Sequence, residues 1–340
     1  MSTTIKDIAK MANVSTATVS RVLNSPNLVS EEKKELINKI IYELNYQPNA
    51  LARGLIKKET KTVGVLIPDI DNLFYPAVVR GIEDVLGSKD YNVFICNTDK
   101  DVEKEKKYIN TLLEKRVDGI IFMGTRPIAP EKNEHIIRLS NKLPVLLIND
   151  SIGGTDIYSV LSDEVEGAYK AVKHLLDLGH RKIAYVTGEA DYTTYRNKQE
   201  GYESALRDYE VSINPLYIVR DLPYPEGGKK AAEKLFDLGE NKPSAIFAAS
   251  DQMAMGVMKA AYERGYRIPE DLSIVGYANI PISADLFPGL TTVDQFPYET
   301  GKFASETLTK IISGQELKQN KFIIKPQLVK RQSCTCTGMW

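Results

Sequence analysis

The stretch Val14-Ser15-Thr16-Ala17-Thr18-Val19-Ser20-Arg21-Val22-Leu23-Asn24 places Val19, Val22 and Leu23 on one side of a helical repeat. Small and hydroxylic residues with one arginine lie on the other sides. Ser15 is a good N-cap for a helix over Thr16–Leu23. Upstream, Thr4 can cap a short helix from Ile5 to about Met11, with Ile5, Ile8, Ala9 and Ala12 turned inward, and Asn13-Val14 break the run. Two short helices about a tight turn form the helix-turn-helix layout, whose second helix enters the major groove of DNA. Downstream, Ser30-Glu31-Glu32-Lys33 opens a third helix in capping-box style. Leu36, Ile37, Ile40, Ile41 and Leu44 give that helix an apolar stripe. The spacing predicts a small all-α head over residues 1–46.

The outward chemistry of the second helix suits DNA, although a plain solvated face would have a similar composition. Arg21 can reach guanine O6 and N7 in bidentate fashion, and Ala17 and the Thr16 methyl can touch a thymine methyl. Ser15, Thr18 and Ser20 are short donors for phosphates, which position a helix without reading sequence. Charge points the same way. Residues 1–58 hold nine basic and five acidic side chains, a net of +4 within a chain whose overall charge is −1. A basic head on a mildly acidic body fits a polyanion partner at one end.

Leu44-Asn45-Tyr46-Gln47-Pro48-Asn49-Ala50-Leu51-Ala52-Arg53-Gly54-Leu55 follows the head. Together with Thr4–Ala9, Val14–Asn24 and Val29-Ser30 it resembles the lactose-repressor (LacI/GalR) family over about 50 residues, and the resemblance continues to about residue 332. It extends the DNA-contacting set to Thr4, Asn24, Asn49, Ala50, Arg53 and Leu55. It implies that residues 47–60 are a hinge helix and linker that fold on operator DNA. Pro48 can open such a helix, and two turns are marginal in water without a partner. By resemblance Leu55 inserts into the minor groove and kinks the duplex; read alone, it is more simply a buried packing residue.

Beyond residue 60, short apolar strands alternate with amphipathic helices. Strands are predicted at 61–68, 91–97, 117–123 and 144–148, then in a second series at 182–187, 217–220, 245–249 and 272–276. Helices are predicted near 75–88, and over 164–178, 199–209, 227–238 and 252–264. This alternation means parallel sheets with right-handed crossovers. The two series look like rough copies, with Val117–Phe122 playing the part of Pro243–Phe247. The expected fold is therefore an α/β bilobed core of two doubly wound parallel sheets, similar to periplasmic sugar-binding proteins. Its lobes are expected over 61–161 with 293–322, and over 162–292 with 323–340. Ligands of such sheets bind outside the carboxyl ends of the strands.

The resemblance carries Phe74, Tyr75, Asn149, Arg196, Lys198, Tyr224, Ser250, Asp251 and Asn279 into the cleft as ligand-binding residues. Asp251 is read equally as a helix cap, and Met253 and Met255 as core. Two departures stand out. Lys198 occupies a position where relatives usually have arginine, and Ala278 occupies one where they usually have an aspartate. The implied effector is a sugar or sugar phosphate. Pro68–Tyr75 and Arg80–Asp84 also resemble the catabolite-control branch, whose corepressor is a phosphorylated carrier protein. Lys302 is basic as that partner requires, but Glu306 stands where that branch carries arginine.

No heptad repeat follows Arg331, so a homodimer on an inverted-repeat operator is expected. No signal-peptide layout and no apolar run of about 18 residues is present, which predicts a cytoplasmic protein with no membrane partner. Cys96, Cys334 and Cys336 fit reduced thiols. An enzyme is disfavoured. No G-x-G-x-x-G follows the first strand, His135, His174 and His180 show no nucleophile or metal spacing, and no cofactor or metal is expected. A transport solute-binding protein would not carry a DNA-binding head.

Overall fold

The computed structural model describes residues 4–24, 26–46 and 59–337 and divides into two units, Met1–Thr60 and Lys61–Trp340. The predicted contacts Asn49, Ala50, Arg53 and Leu55 lie outside the described residues.

In the first unit, α1 spans Ile5–Met11, α2 Thr16–Asn24 and α3 Glu31–Glu43. The Asp7 carboxylate accepts the Thr4 backbone N–H at 2.9 Å and the Thr4 hydroxyl at 2.7 Å, closing the start of α1. Its end is a Schellman turn. Asn13 adopts a left-handed φ of 51°, and the N–H of Val14 reaches back to the Ala9 carbonyl at 3.0 Å. The Ser15 hydroxyl accepts the Thr18 N–H at 3.1 Å and caps α2. Ser30 sits at the N-cap of α3 without a side-chain capping bond, so the capping-box expectation fails there. Ile8, Val19 and Ile37 are fully buried where the three helices meet, with Ala9, Ala12, Val22 and Ile40 around them. Each large aliphatic contributes ~1.5–3 kcal/mol of burial. Leu36, expected in the stripe of α3, is 45% exposed; one residue before Ile37, it has rotated off the packed face.

In the second unit the strands are β1 (Thr62–Ile67), β2 (Asn92–Asn97), β3 (Gly119–Met123), β4 (Val145–Ile148), β5 (Tyr158–Ser162), β6 (Ile183–Thr187), β7 (Ile218–Arg220), β8 (Ala245–Ala248), β9 (Ser273–Ala278), β10 (Thr291–Asp294), β11 (Lys321–Ile324) and β12 (Gln327–Val329). They form two six-stranded sheets of the same design, β2-β1-β3-β4-β5-β11 and β7-β6-β8-β9-β10-β12. All pairings are parallel except β10 with β12. Central strands such as β1 and β9 are buried along their whole length, because helices cover both faces. β10 stays in the second sheet through Asp294 and β11 in the first through Ile324. Those two lobe crossings therefore fall two residues later than the expected 292/293 and 322/323.

The helices are α4 (Phe74–Ser88), α5 (Val102–Glu114), α6 (Glu134–Ser140), α7 (Glu164–Asp177), α8 (Thr193–Asp208), α9 (Pro225–Phe236), α10 (Asp251–Glu263) and α11 (Pro297–Ile312). α8 begins six residues before its expected start. Helices α4 and α11 cross through glycines, and a Cβ on Gly301 would lie 2.1 Å from the Val78 carbonyl oxygen.

Candidate functional site

The outward face of α2 is built by its own burial pattern. Val19 and Val22 are buried, which turns Thr16, Ala17 and Arg21 to solvent, with Ser15 exposed just before the helix and Thr18 and Ser20 half-buried. Ala17 and Arg21 are one helical turn apart and share a side. Ser15 has a second task, because its hydroxyl meets that of Thr18 at 2.9 Å while capping the helix. Thr4 is exposed at the start of α1, and Asn24 ends α2.

In the second unit both sheets reverse strand order, at β1/β3 and at β6/β8. The crevice beyond the carboxyl ends at such a reversal is where ligands bind. Two adjoining chambers occupy it between the lobes. The inner, about 90 Å³, is lined among others by Phe74, Tyr75, Asn149, Glu164, Lys198, Ser250, Ala278 and Gln295. The outer, about 380 Å³, is lined by residues including Tyr75, Lys100, Glu105, Arg126, Tyr192, Tyr195 and Tyr224. Asn72, Tyr75, Thr125, Tyr195 and Pro223 border both.

Of the ligand residues predicted from sequence, the structure brings Phe74, Tyr75, Asn149, Lys198 and Ser250 to the inner chamber and Tyr224 to the outer. Three others lie elsewhere. Arg196 is exposed, since it is about half a turn round α8 from both Thr194 and Lys198, which face the chamber. Asp251 is fully buried and spends its oxygens on the Thr292 hydroxyl (2.5 Å) and the Ile280 N–H (2.9 Å), tying α10 to β10 and to the loop after β9. Ser250, not Asp251, caps α10, by accepting the Met253 N–H at 3.2 Å. Asn279 donates to Asp294 at 2.9 Å and accepts from Arg331 at 2.7 Å, which ties its amide to the end of β10 and to the segment after β12.

At the centre of the inner chamber, Lys198 Nζ lies 3.7 Å from Glu164 Oε1, both side chains being buried. The ammonium donates to the Ala249 carbonyl at 3.1 Å and sits 4.1 Å from the centroid of the Tyr277 ring. The Glu164 carboxylate also accepts a short hydrogen bond from the Thr194 hydroxyl. Burial pushes the Glu164 carboxyl up and the Lys198 ammonium down, and their mutual attraction opposes both shifts.

The outer chamber rests on a second charge cluster. Arg126 donates to both Glu105 oxygens at 2.8 Å, and His135 Nε2 lies 2.6 Å from the same carboxylate. Burial would raise the Glu105 carboxyl, but the bonds from His135 and Arg126 outweigh it and hold it at about 2. Asp150, which takes the backbone N–H groups of Arg126 and Ser151, is pushed by burial to about 6.

The lobes touch directly around these chambers. Tyr224 donates to Asp69 at 2.6 Å, and Ile128 N–H reaches the Asp191 carbonyl at 3.1 Å. The first free N–H groups of α8 are met from the opposite lobe, Thr193 by the Arg126 carbonyl at 3.5 Å and Thr194 by the Thr125 hydroxyl at 3.3 Å. A helix start completed by the other lobe carries no capping signal in its own sequence, which is why α8 was expected to begin later.

Glu164, Gln295, Thr125 and Tyr195 were not anticipated. Thr125 and Gln295 sit just past β3 and β10, where the strand-end rule could have found them. Glu164 reads in sequence as an ordinary acid in a first helical turn.

The sequence profile described as "Bacterial regulatory proteins, lacI family" matches residues 4–49, and a "Periplasmic binding protein-like domain" matches residues 172–334. The HTH-type transcriptional repressor PurR of Aliivibrio fischeri (strain MJ11) is 36% identical over 334 residues, covering 97% of this chain and 98% of that protein. Catabolite control protein A of Priestia megaterium is 40% identical over 337 residues, covering 98% and 99%. The crystal structure of the lac repressor dimer bound to operator and the anti-inducer ONPF superposes with a TM-score of 0.88 at 28% identity, covering 99% of this chain and all of that one. With a helix-turn-helix head, a bilobed core and full-length relatives of this kind, the chain belongs to the LacI family of bacterial transcriptional regulators.

Proposed function

We propose that this regulator is a homodimeric repressor of carbohydrate-related genes, binding an inverted-repeat operator under the control of a small molecule held between the lobes. The observation that carries this is the pair of chambers at the strand-order reversal, which gathers six of the predicted ligand residues around aromatic walls. At about 380 Å³ the outer chamber lies within the ~300–1,000 Å³ range of small-molecule sites. On the DNA side, Arg21, Thr16 and Ala17 read bases, and Leu55 of each subunit opens the minor groove at the operator centre. Effector binding changes the angle between lobes, and that change favours or disfavours folding of the hinge over residues 47–60. Coupling of this kind is typically worth ~1–3 kcal/mol.

A phosphorylated carrier protein is the second reading, favoured by the 40% identity to catabolite control protein A. The surface of α11 weighs against it. Lys302 is already paired with Glu299 at 3.3 Å, and Glu299 and Glu306 both line the groove beside it. Two carboxylates around one ammonium repel a phosphoserine.

The test is titration of the full-length protein against genomic fragments that include its own promoter region. Sugars, sugar phosphates and the phosphorylated carrier are added in turn. A change of at least fivefold in operator affinity with one small molecule supports the proposal. A response to the carrier alone would replace it with the second reading.

A further inference from the structure

The inner chamber contains a loosened ion pair. Glu164 Oε1 and Lys198 Nζ are 3.7 Å apart, long for a hydrogen bond, although both side chains are buried. The carboxylate takes the Thr194 hydroxyl as a further donor, leaving part of its roughly four acceptor positions unspent. The ammonium carries three donors, and among the described residues its bond of ordinary length goes to Ala249. A group that donates to Glu164 while accepting from Lys198 would complete both. A hydroxyl does this with one atom, because it is both donor and acceptor.

An ionised phosphate has only acceptors to offer and would meet the Glu164 carboxylate alongside Lys198. Charge elsewhere in the cleft does not help it. Around the two chambers together, three cationic side chains face four carboxylates, and Arg126 is spent on Glu105. Ala278 adds only a methyl group to the wall. The inner chamber, at about 90 Å³, is too small for a whole ligand on the scale of ~300 Å³ or more. A ligand anchored there must extend past Tyr75 and Tyr195, which border both chambers.

We infer that Glu164 and Lys198 together form a hydroxyl-bridging anchor, and that Glu164 sets the specificity of the cleft for a neutral polyhydroxylated ligand over its phosphorylated counterpart. This rests on the reading of the cleft as an effector site. Glu164 is a specificity residue here because it cancels the only cation of the inner chamber among the described residues.

The experiment compares matched pairs on the full-length protein: D-ribose against ribose 5-phosphate, and D-glucose against glucose 6-phosphate. Inorganic phosphate serves as a control, and binding is read by calorimetry and thermal shift. The wild-type chain should bind at least one neutral sugar at least tenfold more tightly than its phosphate ester. In Glu164→Gln that preference should shrink by at least tenfold or reverse, because Lys198 loses its nearest carboxylate and keeps only the attraction of the buried Asp251. A wild-type preference for the ester overturns the inference and leaves the effector reading intact; so does an unchanged ratio in a folded Glu164→Gln. If neither member of any pair binds the wild-type chain, the effector reading for sugars falls and takes the inference with it. The wild-type comparison decides even if the variant does not fold.

Discussion

Replacing Glu105 by glutamine keeps the shape of the α5 side chain and removes the charge on which Arg126 and His135 converge. The Arg126 side chain is 11% exposed and that of Glu105 7%, so the pair is screened little by solvent. Burial would raise the Glu105 carboxyl, yet its hydrogen-bonded partners lower it from 4.5 to about 2. At ~1.4 kcal/mol per pH unit, that depression corresponds to roughly 3 kcal/mol of folding stability at neutral pH. Breaking a buried pair from one side costs ~3–5 kcal/mol in other proteins, which agrees. For a unit of this size, Glu105→Gln should lower the melting temperature of the core by roughly 6–10 °C.

The pH dependence follows from the sign of the shift. A depressed folded value makes the contribution complete above about 4.5, and it is lost as pH falls from there towards about 2. The wild-type melting temperature should therefore fall faster across that range than that of the variant. The assay is thermal unfolding of the full chain between pH 3 and pH 7 (a range of about four units), with Arg126→Met and the double variant completing a mutant cycle. A coupling below about 0.5 kcal/mol would refute the assignment of this stability to the Arg126–Glu105 contact.

Arg21→Ala should cost ~1–3 kcal/mol of operator affinity and relax preference at one base pair, read by selection on randomised operators; unchanged selectivity would sink the base-reading role. Gly301→Ala forces a Cβ to within 2.1 Å of the Val78 carbonyl oxygen, so spreading α4 from α11 should destabilise the core by at least ~1–3 kcal/mol in denaturant titration. A melt like that of the wild type would mean the crossing is looser than described. His180 is 3% exposed and its ring bonds Ser244, Ser273 and the Thr335 carbonyl; burial lowers its pKa below 6.5. Its contribution is therefore complete above about 6.5 and lost as pH falls below that value. His180→Gln should flatten the loss of stability between pH 7 and pH 5 (about two units), as followed by urea unfolding, and equal slopes would contradict this.

The head was legible because its signals are local. The Thr4 and Ser15 caps, Asn13 at the turn and the Val19–Val22 stripe each act within a few residues of themselves. Leu36 shows the limit, since a stripe alone does not say where the packed face ends. The central strands of the core were legible from apolar runs, but β5, half polar and next to the edge strand β11, was not anticipated. The site was legible through the family resemblance, which supplied Phe74 at the start of α4 and Asn149 and Ser250 just past β4 and β8. It was illegible where the partner comes from the other lobe. The start of α8 depends on Thr125 and Arg126, and Glu164 acquires meaning only when α8 brings Lys198 to it. Asp251 and Asn279 were misplaced for the reverse reason, since internal partners distant in sequence consume their polar atoms.

The most direct test of the account is the ratio of affinities for a footprinted near-palindrome and for scrambled DNA of equal length. It is measured by fluorescence anisotropy with the full-length protein at physiological salt. The account predicts a ratio of at least ~10³, as sequence-specific regulators show, and a footprint symmetrical about its centre. A ratio near one, with binding that simply fades as salt rises, would contradict it: the head would then be a general polyanion-binding surface and not a reader of an operator.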